Sequence, residues 1–198
     1  MTARKNAWIA GLAIAWLTGV GYGLAQLWAY ENRPGSPATA PNEWPTRSAL
    51  VPATDRPTLI FLAHPQCTCT VASLDDLREV LQRAPRRPKT YVLFLRPTVF
   101  ERGWEQTDLW KKATALPDAT VLRDDDGAEA RQFGVGTSGQ TLLYDSNRRL
   151  RFAGGVTAAR GHAGENAGSA ALVSLLTRGV ADRAATSVFG CPLFASGS

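Results

Sequence analysis

Apolar and polar positions along this chain follow three different rhythms. From Ala7 to Tyr30 the sequence reads AWIAGLAIAWLTGVGYGLAQLWAY, apolar throughout and without a charge. A bilayer span takes about 20 such residues, so this stretch predicts one transmembrane helix. Further on, short unbroken apolar runs predict buried strands at Thr58–Ala63, Thr90–Leu95, Ala119–Leu122, Gln140–Tyr144 and Leu150–Phe152. Between them, Val71, Leu74, Leu77 and Leu81 recur at helical spacing and predict a helix over Thr70–Arg83, which Pro85 ends. Further helices are expected at Trp104–Ala115, Gly127–Phe133 and Ala167–Leu176, the last capped by Glu165 or Asn166. Strands that alternate with helices and close in a hairpin predict an α/β fold, a central mixed sheet flanked by helices.

The flanks of the first segment orient it. Arg4 and Lys5 precede it with no acidic neighbour, whereas Glu31 and Arg33 balance behind it. The positive-inside rule then leaves the N-terminus in the cytoplasm and everything after Tyr30 outside. A cleaved signal peptide, cut near Gly23-Leu24-Ala25, is the competing reading, and it exports the rest of the chain equally. From Glu31 to Arg47 the sequence turns to ENRPGSPATAPNEWPTR, whose prolines and small polar residues predict an extended tether. The expected organisation is therefore a cytoplasmic N-terminus at 1–6, an anchor at 7–30, a Pro-rich linker at 31–48, one α/β domain at 49–178 and a tail at 179–198. The tail carries Cys191 and is expected to be mobile.

Composition changes this picture little. A formal charge of +5 is mild, and the basic residues fall in short scattered groups such as Arg86-Arg87 and Arg148-Arg149, without interleaved aromatics. That pattern is a solvated surface, not a nucleic-acid footprint. The Asp124-Asp125-Asp126 run lacks the ligand series of a calcium loop and reads as a turn with a helix cap.

The three cysteines change it more. Cys67 and Cys69 stand in His64-Pro65-Gln66-Cys67-Thr68-Cys69-Thr70, where the first strand turns into the first domain helix. Unpaired N–H groups at a helix start stabilise a thiolate and lower its pKa. Export to an oxidising compartment leaves Cys191 as the odd thiol if the pair closes. It is then a resolving thiol, a third metal ligand, a link between chains, or a buried inert thiol held by Phe189 and Leu193. His64, beside the pair, is a candidate for tuning the thiolate or for capping the loop. Arg160 and His162 lie in a glycine-rich loop expected to be packed by its own hydrogen bonds, the alternative being that the two face a ligand.

This order of elements, with FLA ending the strand before the cysteines and the later stretch VLRDDDGAEARQFGVGTSGQTLLYDSNRRLRFAGGV, resembles the thioredoxin-like superfamily, especially its membrane-anchored TlpA/ResA type. The resemblance covers roughly Pro57 to Leu176. It implies a thioredoxin-like fold behind one N-terminal transmembrane helix and thiol–disulfide exchange outside the cytoplasm, with catalytic Cys67 and Cys69; Cys191 joins them as a catalytic candidate because it is the odd thiol. It also implies a substrate loop at Ser138, Gly139 and Gln140, where the family carries a cis-proline that this chain lacks. The family's Cys-x-x-Cys is here Cys-x-Cys. In an ungapped alignment Gln66 takes the place of the attacking cysteine and Cys69 that of the second. A loop one residue shorter makes Cys67 the attacker, and its place nearer the exposed end of the loop favours it. A Cys-x-Cys ring is small and strained, so the pair is expected to be a relatively strong oxidant or shuffler.

Two thiolates one residue apart also suit Cu(I), with His64 as a further ligand, and a non-catalytic binding module is the third reading. The expected partners are the membrane, crossed once, and protein thiols or disulfides, without nucleic acid. No cofactor is expected unless copper is the cargo. The expected location is the inner membrane, with the domain on the periplasmic or extracytoplasmic side.

Overall fold

The computed structural model describes residues 2–194, which fall into two compact units divided between Arg33 and Pro34. The first unit is helix α1, Thr2–Glu31. Its large side chains, among them Trp8, Leu12, Trp16, Leu24 and Trp28, are exposed on every face. Asn6–Glu31 is apolar enough to cross a membrane, and its 26 residues span about 39 Å at a rise of 1.5 Å each.

The second unit is built on β1 (Thr58–Ala63), β2 (Lys89–Arg96), β3 (Ala119–Asp125), β4 (Gln140–Tyr144) and β5 (Leu150–Gly154). Its helices are α2 (Thr70–Arg83), α3 (Asp108–Thr114), α4 (Ala128–Gln132) and α5 (Ala167–Arg178). The sheet order is β3-β2-β1-β4-β5. The first three strands run parallel, while β4 runs antiparallel to both β1 and β5. Residues of β1 alternate between the two faces, as a pleat requires. Leu59, Phe61 and Ala63 join α2, α3 and α5 in one core, and Ile60 and Leu62 join Phe133, Tyr144 and Trp44 in the other.

The proline-rich segment is extended, as its composition predicts, but it is no loose tether. It is laid along the folded unit as a strap. Gly35 N donates to Val188 O, Thr39 N to Gly134 O, and Trp44 N to Arg148 O at 2.9 Å, while Leu150 N donates back to Asn42 O. Tyr144 donates its hydroxyl to Pro41 O. Trp44 is buried, edge-on to Phe133 and Tyr144.

Two further expectations shift. The helix expected from Trp104 begins only at Asp108, because Gly103 sits at φ +89° and the chain from Glu101 to Gln106 makes turns. Trp104 stacks on Phe100 instead of facing the core. The triple aspartate is also split. Asp124 and Asp125 finish β3, and the Asp124 carboxylate accepts from the amides of Glu129 and Ala130, capping α4 from a distance. The α5 cap is Asn166, whose side chain accepts from Gly168 N and Ser169 N.

Candidate thiol site

Between β1 and α2 the chain makes two tight turns. Cys67 N donates to His64 O, and Thr70 N donates to Cys67 O. This places Cys67 inside the turn and Cys69 at the helix N-cap position. Ser138, fully buried, ties the turn to the loop before β4. Its hydroxyl accepts from His64 N at 2.8 Å and lies 2.8 Å from the Thr70 hydroxyl. Thr70 in turn hydrogen-bonds the Cys67 sulfur. The directions follow: the His64 amide donates to Ser138, Ser138 to Thr70, and Thr70 to sulfur.

Cys191, expected in a mobile tail, completes the site. The chain after α5 runs back over the folded unit, and the Cys191 amide donates to Cys67 Sγ at 3.4 Å. The two thiols are also hydrogen-bonded to each other. Burial alone would raise the Cys67 pKa, but donation from Thr70 and Cys191, by side chain and backbone, brings it below the ordinary thiol value. Cys191 moves the opposite way. Burial, then its hydrogen bond to Cys67 and the charge there, push it up to about 12. The hydrogen bond between the two sulfurs thus favours the charge on Cys67 and the proton on Cys191. Cys69 is raised by burial and by the Cys67 charge, against the pull of Arg160.

Cys67, expected to lie near the exposed end of the loop, is instead 0 % accessible, with the Cys191 amide on its sulfur. His64 caps the turn, its Nδ1 accepting from Gln66 N, and its ring meets Trp104 edge-on at 5.6 Å. Burial lowers its pKa, so the imidazole is neutral at pH 7 and supplies no cation to the thiols. The nearby cation is Arg160. It acts on both Cys69 and Cys191 and donates to Gly190 O at 2.6 Å. Its loop has its own bond from Asn166 Nδ2 to Gly164 O but is also tied to α2, where Asp76 accepts from Gly164 N and Asn166 Nδ2, and the guanidinium acts on the thiols.

Of the expected substrate loop, Gln140 is buried as the first residue of β4, and Gly139 N donates to Leu62 O. Only Ser138 keeps a backbone group directed at the thiols' side, donating its amide to Cys191 O at 2.9 Å. Among the described residues, no group of three or more His, Cys, Asp or Glu is arranged to hold a metal ion. A groove of about 620 Å³ beside Phe189, Thr157 and Asn166 contains none of the three cysteines.

No family model and no curated protein matches the sequence. Solved structures do share its fold. An uncharacterized conserved protein from Geobacillus kaustophilus superposes with a TM-score of 0.57 at 16 % identity, over 85 % of this chain and 93 % of that one. A hypothetical protein from Sinorhizobium meliloti 1021 gives 0.53 at 15 % identity, over 84 % and 99 %. A pneumococcal exposed lipoprotein thioredoxin (Etrx1) from Streptococcus pneumoniae strain TIGR4 gives 0.45 at 18 % identity, over 62 % and 84 %. The strand order β3-β2-β1-β4-β5, with β4 antiparallel to its neighbours, is that of a thioredoxin-like fold. In this fold the thiol pair stands at the β1–α2 junction, and the strand entered from the Ser138 loop runs antiparallel beside β1. Sequence reasoning missed two parts of the site, Thr70 as thiol donor and the seat of the tail.

Proposed function

We propose that this chain is a single-span membrane protein whose folded unit lies outside the cytoplasm and exchanges thiols with disulfides of other proteins. Cys67 is the nucleophile. What supports this reading is the hydrogen-bonded pair of sulfurs: the Cys191 amide donates to Cys67 Sγ at 3.4 Å, donation from Thr70 and Cys191 lowers the Cys67 pKa, and that of Cys191 is raised. The apolar α1 behind Arg4 and Lys5 supports the location.

The Cys67 thiolate attacks one sulfur of a substrate disulfide. A Cys67–substrate bond forms as the substrate bond breaks, and the other substrate sulfur leaves as a thiolate. Cys191 then gives up its proton to that thiolate and attacks Cys67, releasing the first substrate sulfur, which takes a proton from water. Two electrons pass from the protein thiols to the substrate; the reverse sequence oxidises a dithiol. Arg160 steadies the negative charge while it lies on Cys69 or Cys191.

The test is trapping in the full chain. With Cys69→Ser and Cys191→Ser together, Cys67 should hold a partner protein as a mixed disulfide, and Cys67→Ser should hold none. Stoichiometric Cu(I) binding that is lost in Cys67→Ser and in Cys69→Ser, without any trapped partner, would replace exchange by metal carriage.

A further inference from the structure

The segment that covers Cys67 is seated in an unusual way. Gly190–Leu193 runs antiparallel to Gly136–Ser138, with Thr137 opposite Pro192. Ser138 N donates to Cys191 O at 2.9 Å, and Leu193 N donates to Gly136 O at 2.8 Å. Neither bond uses the backbone of Pro192, which has no N–H to offer. On one side of the cysteine, Gly190 packs so closely that a Cβ there would stand 1.9 Å from Ser138 O. On the other, Leu193 is buried in the second core, and Phe194 lies under the Arg131 guanidinium, 4.3 Å from it. The segment is thus an extended peptide, paired through its backbone, with a cysteine set against the nucleophile and an apolar side chain two residues later in a fitted site.

We propose that Gly190–Leu193 occupies the protein's own peptide-binding site, and that its substrates are extended segments that pair with Gly136–Ser138, carrying a cysteine followed two residues later by an apolar side chain. This rests on the thiol-exchange reading above and names its substrate class and its gate. A substrate reaches Cys67 only when the tail lifts away, because the sulfur is covered while the tail is seated. The returning tail brings Cys191 back to Cys67 and resolves the mixed disulfide. Exclusion and resolution are one movement.

The test uses the full chain in detergent micelles. Gly190→Val keeps all three thiols but cannot seat the tail; a chain ending at Phe189, which empties the same seat and also removes Cys191, replaces it if that variant does not fold. The probe is the octapeptide Ser187–Phe194, its cysteine carried as a thionitrobenzoate mixed disulfide, with oxidised glutathione as a small disulfide. In the unaltered chain Cys67 should be slow toward the peptide, and in Gly190→Val faster by about tenfold or more. The same peptide with an N-methyl group at the Leu193 position, which removes the amide that donates to Gly136, should lose that gain while its thiol chemistry is unchanged. If Cys67 takes glutathione in both chains but reacts no faster with the peptide in Gly190→Val, or reacts equally with the N-methyl peptide, the substrate-strand assignment falls and thiol exchange stands. If Cys67 takes neither disulfide in either chain, thiol exchange itself falls, and this assignment with it.

Discussion

Replacing Trp44 by alanine tests whether the strap is part of the folded unit. The indole is 8 % exposed, with ring centroids 5.1 Å from Phe133 and 5.2 Å from Tyr144. Its backbone bond to Arg148 survives the change, so the loss is one of packing. Truncating a buried large aromatic costs about 3–5 kcal/mol, which includes roughly 0.5–1.5 kcal/mol for each aromatic pair. At about 2–4 °C per kcal/mol for a unit of this size, the melting temperature should fall by about 6–20 °C. Circular dichroism of the compact Pro34–Ser198 unit measures it. Val51→Ala, at a 65 % exposed position a few residues on, is the control and should stay within about 0.5 kcal/mol. A Trp44→Ala melt indistinguishable from that control would refute the reasoning and return the segment to the status of a loose tether.

Three other outcomes follow from the site and its surroundings. Thr70→Val removes a hydrogen bond that holds Cys67 as thiolate, so the pH midpoint of Cys67 alkylation should rise; an unchanged midpoint would show that Cys191 does the work alone. Asp76 is raised to about 6, chiefly by burial, so the folded state binds its proton more tightly than the unfolded state does. Stability should therefore increase as the pH falls from about 6 toward 4, and Asp76→Asn, which keeps an acceptor for Gly164, should flatten that slope in urea melts. A reporter active only in the cytoplasm, fused after Ser198, should be silent; activity there would reverse the proposed orientation.

The parts of this molecule legible in the sequence are those written by side-chain periodicity. Thr58–Ala63, Thr70–Arg83 and Gln140–Tyr144 were expected to the residue because each is an apolar run or stripe matched to a buried face. Trp104 misled because an aromatic residue near a helix start looks like core, while its rings in fact serve Phe100 and His64. The strand placement of Asp124 was hidden because two backbone amides, not a neighbouring side chain, satisfy its carboxylate. Strap and tail were illegible for a related reason. Both are held largely by main-chain bonds at Gly35, Thr39, Ser138 and Leu193, and composition carries no record of which amide meets which carbonyl. The cysteine pair announced a thiol site, but nothing near Cys191 in sequence announces that it lies against Cys67.

The seating of the tail also sets an order in time. Cys191 meets Cys67 across 124 positions of chain, and Thr137 meets Ser36 across 101. Contacts so far apart close late, because the loop between their ends must be ordered first. In the orientation proposed above, a chain threaded outward from its N-terminus would present Cys67 and Cys69 to the outer compartment before Cys191 has crossed. During that interval the only intramolecular disulfide open to it is the small ring between those two. On that same proposal, arrival of Cys191 would supply the third thiol and set a first exchange, in which Cys191 attacks Cys67 and Cys69 is released.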